Sequence, residues 1–193
     1  MAVNVRPVRE CASVPLRKPH DVRCHRFMLA IADTDNHRVL IASGNDFSGA
    51  RWSVAHPESP LNAPCGLHID QQGIWVADTF NHRLVAFDRG GRQIYSLGEY
   101  GDGEYQFRYP VGVHSWYEYL FVSDEESESL KLFRRNGGES LALSVVSEKF
   151  GAPWVQQPFG LSVNRENKLA IGDRKQKCIW IIDLYPAICE TSQ

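Results

Sequence analysis

The sequence predicts an all-β protein, a β-propeller of four-stranded blades, and three observations carry that prediction. A polar turn is written twice: Ala32–Arg38 reads ADTDNHR, and Ala77–Arg83 reads ADTFNHR, 45 residues later. Extending the frame gives four acidic anchors, Asp33, Asp78, Asp124 and Asp173, spaced 45, 46 and 49 residues apart. Each anchor follows a proline (Pro19, Pro64, Pro110, Pro158) by 14, 14, 14 and 15 residues. A period of roughly 40 to 50 residues with short strands and glycine-containing turns marks a blade that buries its faces only against neighbouring blades.

The second repeat shows the elements in order. Pro64-Cys65-Gly66 opens it, and the run Leu67–Ile69 leads to a polar turn at Asp70–Gly73. The run Ile74–Ala77 then ends on the anchor Asp78, and Leu84–Phe87 and Gln93–Leu97 follow, separated by Arg89–Gly91. These are four strands bounded by turn residues. Pro110-Val111-Gly112 and Pro158-Phe159-Gly160 repeat the opening corner, whereas the first repeat has Asp21 in place of the glycine. No segment sustains a helical period.

The last repeat reaches its third strand at Ile179–Ile182 and shows no fourth. The segment Val3–Val8 is the candidate to supply it, since it precedes the first inner strand as an outer strand would, and Pro7 is tolerated on a sheet edge. The expected organisation is an N-terminal segment over 1–18 with this ring-closing strand, blades over 19–183 and a tail over 184–193. Four blades leave a closed ring, an open arc and pairing with another chain all open, the last making a homo-oligomer.

Composition excludes several classes. A net charge of -2 over 193 residues gives no field to draw nucleic acid or an anionic membrane. The first 26 residues nevertheless carry six basic side chains against two acidic ones. Five cysteines, at 11, 24, 65, 178 and 189, include no C-x-x-C, so reduced thiols in a cytoplasmic protein are the simplest reading. No apolar run is long enough for a membrane span or a signal peptide.

With its P-x-G corners, Ala-Asp anchors and the literal Asn-His-Arg at 36–38 and 81–83, the chain resembles the NHL-repeat family. The stretch Gly98–Val113, GEYGDGEYQFRYPVGV, looks like the linker between blades of that family. The resemblance covers residues 19–183. It implies a propeller, typically of six blades, often carried by RING or tripartite-motif ubiquitin ligases, where it recognises protein substrates or RNA. Four repeats stand here, and no RING, B-box or coiled coil is visible in the 193 residues.

The repeated turn reads first as a structural staple built from Asp33, Asn36, Arg38, Asp78, Asn81, Arg83, Asp124 and Asp173. The aspartates can accept from turn N–H groups, the asparagines can adopt a left-handed corner, and the arginines can reach a carboxylate on the next blade. Partner contacts are expected on the loops flanking the prolines, at Lys18, His20, Arg108, Tyr109, Gln157 and Phe159. The acidic third turn (Asp124–Ser129) and the basic fourth (Asp173–Cys178) suit a charged protein partner better than a continuous nucleic-acid track.

Single-stranded RNA is the alternative partner, held by Arg17, Lys18, Arg23, Arg26 and Arg108 with Tyr109 as a stacking platform. A second alternative is a metal-dependent hydrolase or lyase, the chemistry of some related propellers. His68 and His114, matched on inner strands, would begin such a site and leave its ligand set incomplete. With no catalytic constellation, metal set or cofactor motif, the sequence reads as a non-enzymatic recognition or scaffold propeller, linked through the resemblance to ubiquitin-ligase machinery.

Overall fold

A computed structural model describes residues 10–11, 14–44, 47, 52–136, 142–147 and 155–185. A short pair, β1 (Glu10–Cys11) and β2 (Val14–Pro15), comes before four antiparallel sheets. Blade I holds β3 (Pro19–His25), β4 (Met28–Asp33), β5 (Arg38–Ser43) and β6 (Trp52–Val54). Blade II holds β7 (Pro64–Ile69), β8 (Ile74–Asp78), β9 (Arg83–Phe87) and β10 (Gln93–Leu97). Blade III holds β11 (Pro110–Trp116), β12 (Tyr119–Asp124), β13 (Ser129–Asn136) and β14 (Ala142–Ser147). Blade IV holds β15 (Pro158–Val163), β16 (Lys168–Asp173) and β17 (Cys178–Asp183), a three-stranded sheet among the described residues. The ring-closing strand expected at Val3–Val8 lies outside those residues.

Each sheet is a meander, and the first strands touch in series: β3 on β7, β7 on β11, β11 on β15. They therefore line the inside of an arc. The repeated corner has a common geometry, with every opening proline opposite its anchor: Pro19 and Asp33, Pro64 and Asp78, Pro110 and Asp124, Pro158 and Asp173. A bulge follows at once in all four and re-aims the strand.

Because side chains alternate across a strand, each blade presents one apolar face to the blade before it and another to the blade after it. Between blades I and II the core joins Met28, Ala30, Val39 and Ile41 to Leu67, Ile74, Val76 and Phe87. Between II and III it joins Trp75, Leu84 and Ala86 to Val113, Leu120, Val122 and Phe133. Between III and IV it joins Phe121, Leu130 and Leu132 to Leu161, Leu169 and Ile171.

Three details refine this outline. The anchor turn of the first two repeats is a turn of 3-10 helix, Thr34–Asn36 and Thr79–Asn81. Just before residue 19, Leu16 packs on Ile31 and Leu40 of blade I. Leu184, placed in the tail, is buried in the core between blades III and IV.

Candidate functional site

The repeated heptapeptide builds one end of the arc, and its side chains divide the work. Asp33 and Asp78, fully buried, each accept from the backbone N–H of the incoming loop, Arg17 and Asn62, both at 2.7 Å. The second carboxylate oxygen of Asp33 takes Asn36 Nδ2 (2.8 Å) and Arg38 Nε (2.7 Å), and that of Asp78 takes Asn81 and Arg83 at the same distances. Thr34 and Thr79 donate to the carbonyls of Pro64 and Pro110, the first residues of the next blades.

The left-handed residue is the histidine, not the asparagine: His37 and His82 have φ of 52° and 55°. Their Nδ1 atoms reach the next loop, His37 accepting from Ala63 N at 3.0 Å and His82 meeting Arg108 O at 2.6 Å. The arginines pair within their own blade, which corrects the expected contact with a carboxylate on the next. Position 35/80, where the two copies differ, is the one outside this lock. Asp35 makes a surface pair with Lys18, and Phe80 is half exposed against the Tyr109 ring.

The degenerate turns keep the aspartate's task. Asp124 accepts from Arg108 N (2.7 Å) and Tyr109 N (2.8 Å), and Asp173 from Gln156 N (2.9 Å) and Gln176 N (2.9 Å). Four carbonyl contacts then tie loop to turn: Asp35 N donates to Arg17 O, Phe80 N to Asn62 O, Glu125 N to Tyr109 O and Arg174 N to Gln157 O. Lys18, His20, Arg108, Tyr109, Gln157 and Phe159 accordingly share the end of the arc that bears the anchor turns.

Their chemistry differs from what isolated charges suggest. The acidic and basic turns neutralise each other across blades III and IV, through Arg174–Glu125 at 3.2 Å and Lys175–Glu128 at 3.0 Å. The basic strip is also paired off: Lys18 with Asp35, Arg23 with Asp21 and Arg108 with Asp102. Arg26 sits in the turn past the far end of β3, a strand about 20 Å long that separates it from Lys18. What remains prominent is aromatic. Phe159 is held between His20 (5.1 Å between rings) and the Arg174 guanidinium (4.5 Å), and Phe80 meets Tyr109 edge-on at 5.3 Å.

A second polar cluster lies on the inner strands. His68 and His114 meet edge-on at 4.4 Å, and Ser115 Oγ lies 2.6 Å from His68 Nε2 and 3.0 Å from Asp70 Oδ2. Burial raises the Asp70 carboxyl, but the adjacent Arg135, together with hydrogen bonds from Gln72 N and Ser115, outweighs this and holds it below its ordinary value. Ionised Asp70 can only accept, so the serine proton points to Asp70 and His68 Nε2–H donates to the serine oxygen. This order ties blades II and III together without activating Ser115 as a nucleophile. Among the described residues no three of His, Cys, Asp or Glu are placed to hold a metal ion.

Burial, then the neighbouring His114, lowers His68 to about 3, and burial, then Arg23, lowers His114 to about 4. Asp70 pulls His68 the other way, and Arg135 and Arg23 add to the lowering. Unfolded imidazoles titrate near 6.5, so between about pH 6.5 and 4 the unfolded chain binds more protons than the folded one. Stability is therefore complete above pH 6.5 and declines below it. The thermal midpoint is expected to fall from pH 7 to pH 5, and His114→Gln is expected to flatten that slope.

Two buried cations escaped the sequence reading. Lys131, 3% exposed, donates to Gly103 O and Gln106 O and lies over the Phe107 ring, clamping the 98–109 linker. Arg135 bonds Asp70, Gln72 and Tyr117 O. The alternation of β13 hid them, since a charge between leucines reads as a solvent face.

No family model matches the chain. It is similar at low identity to two NHL-repeat proteins: 27% over 130 residues to protein brain tumor of Drosophila melanogaster, and 28% over 103 residues to human E3 ubiquitin-protein ligase NHLRC1. Those matches take in 65% and 53% of this chain but 12% and 24% of the relatives. The fold is shared with the periplasmic gluconolactonase of Pseudomonas aeruginosa (TM-score 0.63, 13% identity) and virginiamycin B lyase of Staphylococcus aureus (TM-score 0.54, 13% identity). The matches take in 84% and 81% of this chain and 49% and 52% of those chains. The reading of the chain as non-enzymatic is corrected here, because its fold is one on which enzymes so named are built. The lack of a linear motif does not exclude catalysis on such a scaffold.

Proposed function

We propose that the chain is an NHL-type recognition propeller that holds a protein partner on the end bearing the anchor turns. The observation that carries this reading is the contrast between lock and surface. Equivalent aspartates pin all four corners, while the residues beside the prolines differ from blade to blade: Lys18, Ala63, Tyr109 and Gln157 before them, His20, Cys65, Val111 and Phe159 after them. Varied side chains on a rigid repeated base are where recognition is usually built, and aromatic residues beside an arginine are typical anchors of protein interfaces. The similarity to a protein named as an E3 ubiquitin-protein ligase supports a substrate-selecting role in such machinery. Reduced, buried Cys65 accords with a cytoplasmic setting, and no helix among the described residues is long and apolar enough to cross a membrane. Single-stranded RNA is the less favoured partner, because three of the five basic residues it needs already have carboxylate partners.

The test compares proteins retained by the immobilised chain and by a Tyr109→Ala/Phe159→Ala variant. The double variant is expected to weaken retention at least about tenfold with an unchanged melting midpoint, as for loss of two interface anchors. Arg89→Glu/Arg134→Glu, toward the opposite ends of the strands, is expected to change little. The reverse pattern would put the contact on the other end. Tight binding of RNA oligonucleotides that weakens steeply with salt would favour RNA instead.

A further inference from the structure

The two copies of the heptapeptide differ at one place, and that place builds a corner. Phe80, half exposed, stands at 79° to the Tyr109 ring, with 5.3 Å between centroids. A cation laid in the angle between two such rings comes within about 6 Å of both centroids and meets their negative faces. The charge around the corner has one sign. Asp33 and Asp78 are each neutralised by an arginine five residues on, Arg38 and Arg83, but blade III has Ser129 at that position. Asp124, fully buried, is held by the backbone N–H groups of Arg108, Tyr109 and Ser127 and, among the described residues, by no cation. Glu126 in the same turn is exposed and likewise has no ion-pair partner among those residues. Burial, then Cys65 and the carboxylates of Glu125 and Glu126, push the Tyr109 hydroxyl up, so the field of this turn reaches the ring.

One blade on, the chain makes such a contact from its own residues. The Arg174 guanidinium lies 4.5 Å from the centre of the Phe159 ring, and its Nη1 is 3.2 Å from Glu125 Oε1. At the Phe80–Tyr109 corner the rings and carboxylates recur, with no cation of the described residues over either ring. We propose that this corner is a subsite for an arginine side chain of the protein partner, which presents a basic segment to blades II and III. The proposal rests on the reading of this end as the recognition end. Arginine fits better than lysine, because its flat guanidinium stacks on a ring while its fork reaches a carboxylate. A phosphate backbone would meet uncompensated negative charge here.

The experiment is an NMR titration of the isotope-labelled full chain with three blocked peptides: Gly-Ser-Arg-Ser-Gly, and the same sequence with lysine or citrulline at its centre. Citrulline keeps the shape of arginine without its charge. The arginine peptide is expected to shift the amides of Phe80, Tyr109 and Glu126 saturably. The citrulline peptide is expected to bind at least about tenfold more weakly, as for loss of both the ring and the carboxylate attraction, with lysine between the two. Phe80→Leu and Glu126→Gln are each expected to weaken the arginine peptide about threefold at an unchanged melting midpoint. Glu166→Gln, in the β15–β16 turn at the other end of the blades, is expected to change nothing. No saturable shift at the corner, citrulline or lysine binding as tightly as arginine, or indifference to Phe80→Leu overturns the proposal. If that happens while protein retention still depends on Tyr109 and Phe159, the subsite falls and the recognition end stands. A corner that takes arginine while no retained protein depends on those two residues leaves the subsite and removes the recognition reading.

Discussion

Asp78→Ala is expected to destabilise the protein by about 3 kcal/mol, a fall in melting temperature of roughly 10 °C for a chain of this size. The carboxylate is fully buried and takes three donors, Asn62 N, Asn81 Nδ2 and Arg83 Nε. Arg83 is itself largely buried and, among the described residues, also reaches Ser59 and Pro60 O. Alanine leaves a guanidinium and a loop amide without their acceptor, and an uncompensated buried cation is the costlier loss. Phe80→Asp, which rewrites the second turn as the first, touches none of these bonds and is expected to change stability by less than about 0.5 kcal/mol. Urea unfolding of the two variants separates the lock from its one free position. Equal effects would mean that the turn is held by its sequence-local conformation and not by the carboxylate.

Gly66→Ala is the second large effect, at about 3 kcal/mol for overpacking that the backbone must absorb. Its Cβ would press on the Val111 carbonyl and lie 3.0 Å from Gly112 Cα, both backbone atoms of the next inner strand. No side-chain rotation relieves that, so blades II and III must part. Gly160→Ala, the same corner of blade IV, has open space before it and is expected to be nearly neutral by chemical denaturation. A large cost at both positions would place the strain within the corner itself and remove stacking as the reason for glycine.

These two comparisons also show what was legible before the structure. Period, anchors, strand count and the shared end of the loops follow from spacing alone, because proline, glycine and aspartate act locally. The partners of polar side chains do not, since they depend on a chain segment some 45 residues away that only stacking brings close. The inside of the turn is hidden as well: histidine takes the left-handed corner with its Nδ1 against the next loop, and Arg38 and Arg83 close on their own aspartates five residues back. Asp21, the apparent defect of the first corner, instead reaches across to accept from Leu67 N at 2.9 Å, beside Arg23 on Leu67 O. Charge runs misled for the same reason: the acidic and basic turns look like two patches in a list and are one paired junction in space.

A repeated aspartate locks each incoming loop to its blade and so holds the end bearing the anchor turns rigid. Hydrogen exchange of the amides of Arg17, Asn62, Arg108 and Gln156 tests it most directly, since each donates to an anchor carboxylate although none lies in a strand. The account predicts protection comparable to that of the core strands β8 and β12, and its loss at Asn62 alone in a partly destabilised Asp78→Asn protein. Exchange of all four at the rate of open loops would contradict it.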